Sequence, residues 1–226
     1  MNVITMASRK GGTGKSTLTA HLAAFAQTTG HSCAVIDADP QGSLTLWHSL
    51  RGDGQPPLLN AARGIERALA QAMVDGYKWA FVDTAANMWV VAQEAIRWAT
   101  LVVIPARPGF FDLNAVCETV EIARKRNKPY AVVLNATPVK RGDKEAPAVA
   151  ESRAFLDRLA IPVWSGQISQ RAGYVLTLAA GASVPEATRE LVAASEIARL
   201  WIAIERSVTA INDAHAAASV PQGQAA

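Results

Sequence analysis

An α/β fold, a doubly wound and mostly parallel sheet flanked by helices, is predicted by three features of the sequence. Short runs of β-branched and other apolar residues alternate with amphipathic runs of helical length, the pattern of strands joined by crossover helices. The first apolar run leads directly into a glycine-rich turn, Arg9-Lys10-Gly11-Gly12-Thr13-Gly14-Lys15-Ser16-Thr17, and a helix-forming run follows it. Two later apolar runs end in aspartate, at Asp37 and Asp83, and in a parallel sheet ligands bind beyond the carboxyl ends of the strands. With 226 residues, half of them hydrophobic, the chain suffices for one well-buried domain and not for two, which sets one domain over residues 1–206.

The elements follow in order. The first strand is expected over Asn2–Ala7, and the helix after the turn runs to about Thr29, where Gly30 supplies a C-terminal stop. Ser32–Asp37 is the second strand, Leu44–Trp47 a short helix, and residues 51–57 a loop by their Gly and Pro content. Pro57–Ala61 forms an edge strand and Gly64–Val74 a helix. The strand beginning at Trp79 exits through Asp83-Thr84-Ala85-Ala86 into a helix that ends near Trp98. Thr100–Ile104 is a strand stopped by Pro105. Leu113–Arg126 is helical, and Arg124, Lys125, Arg126 and Lys128 sit where a helix C-terminus favours cations. Tyr130–Asn135 is the sixth strand, Lys140–Glu145 a charged loop, Ala148–Leu159 a helix and Ile161–Trp164 a last short strand. Thr188–Arg206 is the final helix, with Leu191, Val192, Ala198, Trp201 and Ile202 as its apolar stripe. The Ala-, Ser- and Gln-rich residues 207–226 read as a disordered tail.

Strand, glycine-rich turn, then helix is the context of a phosphate cradle. Glycines let backbone N–H groups converge on an anion, and the helix N-terminus adds partial positive charge. Lys15 can reach terminal phosphates, and the Ser16 hydroxyl can ligate Mg²⁺. An apolar strand ending in a carboxylate can hold the same ion, which makes Asp83 the candidate partner of Ser16. Asp37 and Asp39 suit a metal- and water-handling loop; aspartates capping an Asp-Pro turn fit the same spacing. Asn135 ends its strand on the same edge, where its amide suits either an adenine edge or the capping of a turn.

Lys10-Gly11-Gly12-Thr13-Gly14-Lys15-Ser16 resembles the deviant Walker A motif of the ParA/MinD family of ATPases, with Arg9 where the ordinary P-loop pattern has a glycine. Asp37-Ala38-Asp39-Pro40-Gln41 is similar to the switch-I motif of ParA proteins, and residues 168–175 with 181–186 resemble the C-terminal signature of small, ParF-like partition ATPases. The resemblance covers most of residues 2–206. It implies a P-loop NTPase fold of the deviant Walker A type. It also implies ATP and ADP held by Lys10, Gly11, Gly12, Thr13, Gly14, Lys15, Ser16, Thr17 and Asn135, with Mg²⁺ on Ser16 and Asp83. Lys10 is implied to cross to the nucleotide of a second subunit, Asp39 to place the attacking water with Asp37 behind it, and Lys15 to neutralise charge. Further implications are an ATP-dependent homodimer or higher assembly, and nonspecific DNA binding through Arg171, Arg189, Arg199, Lys140 and Arg141. A ParB-like or small centromere-binding partner protein, and a cytoplasmic, nucleoid-associated location, complete what the family predicts. The family's prolines after the Walker B aspartate are replaced here by Ala85 and Ala86. Ala106-Arg107-Pro108-Gly109-Phe110-Phe111 resembles the family's loop beside the dimer interface; Phe110 and Phe111 pack either in that interface or under their own loop.

Composition bounds these expectations. A net charge of +3 and a pI near 9.0 permit nucleic-acid binding without demanding it. Residues 137–206 carry nine Lys/Arg against eight Asp/Glu, so a basic face must be assembled by folding and dimerisation. Cys33 and Cys117 are far apart and suggest neither disulfide nor zinc site. No apolar stretch approaches the roughly 20 residues that span a bilayer, and the N-terminus lacks a signal-peptide layout. A MinD-like membrane-associated positioning ATPase is the alternative function, but residues after Arg206 include no Lys or Arg to flank an amphipathic helix. An iron–sulfur reductase sharing this loop would need cysteines on the ligand edge, and a metabolic kinase a recognisable acceptor site.

Overall fold

The computed structural model describes residues 1–142, 144–187 and 191–218. Six parallel strands form one sheet: β1 (Asn2–Met6), β2 (Cys33–Ala38), β3 (Leu58–Asn60), β4 (Trp79–Thr84), β5 (Leu101–Ala106) and β6 (Tyr130–Leu134). Their spatial order is β3-β2-β4-β1-β5-β6. Eight α-helices accompany them among the described residues: α1 (Lys15–Thr28), α2 (Ser43–Ser49), α3 (Ile65–Val74), α4 (Trp89–Trp98), α5 (Phe110–Lys125), α6 (Pro147–Arg158), α7 (Ala172–Ala179) and α8 (Leu191–Ala218).

Alternation along β1 explains the double winding. Ile4 and Met6 pack with Leu18 and Leu22 of α1 and Ile197 and Trp201 of α8 on one face. Val3 packs with Ile65 and Leu69 of α3 and Ala95 of α4 on the other. The outer half of the second face is Val102, Ile104, Val132 and Leu134 against Val116 and Val120 of α5 and Leu156 of α6. Strands buried on both faces must be apolar throughout, which is why β4 and β5 read as continuous apolar runs. The chain goes outward from β1 to β2 and β3, then returns through β4 and proceeds to β5 on the opposite side. The order therefore reverses at β1, and a crevice opens at its carboxyl end.

The structure corrects three boundaries. Pro105 does not stop β5 but lies within it, paired with Val133. The Val103 carbonyl accepts from Ala7 N–H, so Pro105, two residues on, faces the same side, past the end of β1, where no ladder donor is required. The expected strand Ile161–Trp164 shrinks to a single bridge between Val163 and Val132. Val132 pairs with the Pro162 carbonyl and the Trp164 N–H, both at 2.9 Å, and beyond them Arg153 takes the carbonyls of Trp164 and Gly166 at 2.7 and 2.6 Å. The last helix runs past Arg206 to Ala218, so residues 207–218 are helical and not a disordered tail. Val208 and Ile211 continue its apolar face onto the core, and alanine favours the helix that carries them. Residues 219–226 and the expected start of that helix at Thr188 lie outside the described residues.

Candidate functional site

The turn after β1 is closed by two glycines in the left-handed region, Gly12 at φ 72° and Gly14 at φ 95°. Gly14 caps α1, and a Cβ there would also run into the Asn135 side-chain nitrogen. Asn135 is 7% exposed and donates its amide N–H to the Thr13 carbonyl at 2.6 Å, while its backbone N–H donates to Ala106 at 2.8 Å. The residue stands on the expected edge, with its donor holding the glycine-rich loop.

Lys15 enters this loop from the first turn of α1. It is 7% exposed, and its ammonium lies 3.4 Å from the carbonyls of both Ser8 and Lys10. Burial lowers its pKa; the carboxylates of Asp83 and Asp39 oppose that shift. Asp83, the penultimate residue of β4, is fully buried, and neither of its carboxylate oxygens has a hydrogen-bond partner. Burial pushes its pKa up to about 7; the nearby Ser16 hydroxyl and Lys15 pull it down, and Asp37 and Asp39 add to the rise. Ser16 approaches without completing a hydrogen bond. An orphaned buried carboxylate beside a hydroxyl suits a hard, oxygen-seeking cation such as Mg²⁺. No cluster of three or more His, Cys, Asp or Glu that could cage a metal occurs among the described residues. A cation here would thus share its coordination with phosphate oxygens.

Asp37 and Asp39 divide their work. Asp37 accepts from Asp39 N–H at 3.1 Å and from Thr45 N–H and hydroxyl at 2.9 and 2.8 Å, which ties the loop to α2. Asp39 accepts from Gln41 N–H at 2.9 Å, closing an Asp-Pro turn, and is half-buried facing the crevice. The turn is thus capped, and a carboxylate still faces the crevice. The cleft between loop, α2 and α7 has a volume of about 600 Å³. Gly11, Gly12, Gly14, Lys15, Ser16, Thr17 and Asp39 line its polar part; Leu44, Trp47, Val175 and Leu178 line its apolar part. Thr13 lies beneath, 1% exposed, with its hydroxyl donating to the Lys10 carbonyl at 3.4 Å.

Lys10 is 38% exposed and pairs with Asp112, the third residue of α5, while its ammonium sits 5.8 Å from the Phe111 ring. An acidic residue in the first turn of a helix is favoured by the helix dipole, but its partner 102 residues away has no signal in the sequence. Phe110 and Phe111 are each 76% exposed and meet edge to face, so neither packs under its own loop.

Of the residues expected to meet DNA, Lys140, Arg171 and Arg199 line one groove of about 770 Å³, joined by Arg206. Arg206 lies seven residues after Arg199, the same face of α8, a spacing legible in the sequence. Arg171 pairs with Glu196 at 3.4 Å and Lys140 with Glu145 at 3.5 Å. Arg141 is exposed on the neighbouring turn, and Arg189 lies outside the described residues. Cys33 is buried and Cys117 half-buried on α5; burial pushes the Cys33 thiol up to about 12. No helix among the described residues is long and apolar enough to cross a membrane.

The sequence profile of the CobQ/CobB/MinD/ParA nucleotide-binding domain matches residues 4–184. Maintenance of carboxysome distribution protein A of Halothiobacillus neapolitanus is 30% identical over 194 residues, covering 80% of this chain and 85% of that one. The chromosome-partitioning ATPase Soj of Thermus thermophilus is 27% identical over 143 residues, 50% of this chain and 57% of its own. Among solved structures, the ATP complex of Cyanothece McdA superposes with a TM-score of 0.70 at 17% identity, over 92% of this chain and 96% of that one. MinD of Aquifex aeolicus gives 0.67 at 21% identity, over 88% and 94%. These two share the fold.

Proposed function

The chain belongs to the CobQ/CobB/MinD/ParA family of nucleotide-binding domains, and from that premise we propose that it is a positioning ATPase in which two copies close around ATP and part after hydrolysis. The observation that carries this reading is the pairing of a buried, carbonyl-held Lys15 with the partnerless Asp83 at the mouth of a glycine cradle. That arrangement sets an ammonium suited to an anion beside a carboxylate suited to a cation.

Each residue then has a task. Backbone N–H groups of Gly11–Lys15 bind phosphate oxygens, and Lys15 transfers its ammonium from the Ser8 and Lys10 carbonyls to them. Ser16 and Asp83 would hold Mg²⁺, which supplies charge neutralisation on the phosphates when bound. Thr17 lies next along α1 at the cleft wall, and Asn135 fixes the loop through Thr13 and meets the base with its remaining edge. Asp39 orients water toward the terminal phosphate; catalysis is positioning and electrostatics, carried by Lys10, Lys15 and Asp39. Lys10 must leave Asp112 to reach the partner subunit's nucleotide, so the Lys10–Asp112 pair is a resting contact of the single chain. The exposed Phe110 and Phe111 lie beside it, in the face that closes.

Dimerisation joins the groove of Lys140, Arg171, Arg199 and Arg206 to that of the second copy in one composite surface that grips DNA phosphates without reading bases. A ParB-like or small centromere-binding partner accelerates hydrolysis, and the cargo is a replicon or a protein body carried over the nucleoid. Asp39→Ala is the test: the variant should bind ATP and remain dimeric in light scattering, with turnover lost. Normal turnover in that variant refutes the role of Asp39. A gel shift on arbitrary DNA that does not depend on ATP refutes the switch.

A further inference from the structure

We propose that Arg107 is a phosphate-binding residue of the same site, one that contacts the terminal phosphate and so tells ATP from ADP. The proposal rests on the ATPase reading above. Arg107 follows the last residue of β5, the strand that flanks β1, so the β5–α5 connection starts beside the glycine-rich loop. Its guanidinium nitrogen Nη2 comes within 3.9 Å of the point a Cβ on Gly12 would occupy. The guanidinium thus lies within van der Waals reach of the loop at Gly12. The Arg107 backbone N–H donates to Asp112 Oδ1 at 3.4 Å, and the other oxygen of that carboxylate holds Lys10. Asp112 therefore anchors the main chain of one cation and the side chain of another on the same flank of the loop.

The other cations around the loop are engaged. Arg9 pairs with Glu118 at 3.1 Å and lies 4.9 Å over the Trp89 ring. Lys10 pairs with Asp112, and Lys15 is held by two carbonyls. Among the described residues Arg107 alone of these four carries a charge with no carboxylate or carbonyl partner, and it is exposed. An unpaired guanidinium offers a planar fork of donors that matches phosphate oxygens two at a time. The apolar wall of Leu44, Trp47, Val175 and Leu178 suits the nucleoside, and Arg107 is not part of it. It meets the loop at Gly12, next to Lys10 and apart from that apolar wall.

The experiment measures Mg²⁺-dependent affinity for a fluorescent non-hydrolysable ATP analogue and for the matching ADP in the full chain, in Arg107→Ala and in Arg107→Lys. Loss of one charge-assisted contact should reduce the triphosphate-over-diphosphate preference of Arg107→Ala about 10- to 100-fold, with ADP affinity held within about twofold. Arg107→Lys should keep part of the preference, since charge survives and the fork does not. An unchanged preference in Arg107→Ala overturns the assignment, as does an equal loss for both nucleotides, which marks a residue that merely holds the loop. A wild-type chain that binds ADP without preferring the triphosphate overturns the role of Arg107 alone; one that binds neither overturns the ATPase reading with it.

Discussion

Replacing Asp83 by Asn should make the nucleotide-free protein more stable at alkaline pH and no more stable in acid. The Asp83 carboxyl is completely buried, has no hydrogen-bond partner and titrates near 7 instead of 3.8. The folded protein thus holds a proton between about pH 4 and 7 that the unfolded chain has already released. Stability must fall as pH rises through that window. About three units at roughly 1.4 kcal/mol each amount to about 4 kcal/mol lost by pH 8. Asparagine cannot ionise, but its amide is left with unmet donors, a penalty of about 1–3 kcal/mol at every pH. The net change at pH 8 is then a gain of about 1–3 kcal/mol, and between pH 5 and 8 the difference between variant and wild type should move by about 3 kcal/mol. Urea denaturation of both proteins at several pH values, without nucleotide or metal, measures this directly; shared titrations such as that of His21 cancel in the difference. A difference that stays flat across that range refutes the account of Asp83 as a stored buried charge. The same substitution should abolish stabilisation by Mg²⁺ with nucleotide, since the carboxylate destabilising the free chain is the one that would ligate the cation.

Gly14→Ala should lower stability by about 1–3 kcal/mol in denaturant melts, from left-handed strain and the collision with Asn135, whereas Gly11→Ala, with nothing near its added Cβ, should stay within about 0.5 kcal/mol. His21 is fully buried, donating to the Tyr174 carbonyl at 3.1 Å and accepting from Val184 N–H at 3.2 Å, with its pKa lowered to about 4 by burial. Wild type should therefore lose stability as pH falls from about 6.5 to 4, and acid melts of His21→Leu should show that slope gone and about 2–4 kcal/mol lost at neutral pH. Glu196 accepts from Ser169 N–H at 3.0 Å and from the Tyr174 hydroxyl at 2.7 Å beside Arg171. Glu196→Ala should cost about 2–4 kcal/mol in thermal or urea unfolding and free Arg171, so that nucleotide-independent DNA retention on a column rises with the loss of stability.

The sequence determined the glycine-rich loop, the parallel sheet and the edge on which Asp37, Asp39, Asp83 and Asn135 gather. Glycine spacing, apolar strand runs and strand-terminal polar residues are local signals, and local chemistry is what a single chain displays. It likewise displayed Pro105 and the alanine-rich stretch after Arg206, but their meaning depended on neighbours. Proline is tolerated in β5 because β1 ends beside it, and residues 207–218 are helical because Val208 and Ile211 find the core. Tertiary structure alone decided that Lys10 rests on Asp112, 102 residues away, and that Asn135 grips Thr13 across 122. It alone left Asp83 without a partner and set Arg107 against Gly12. Those facts concern which charges meet across crossover connections, and a charge's energy depends on burial and distance to other charges, which no residue's sequence neighbours specify.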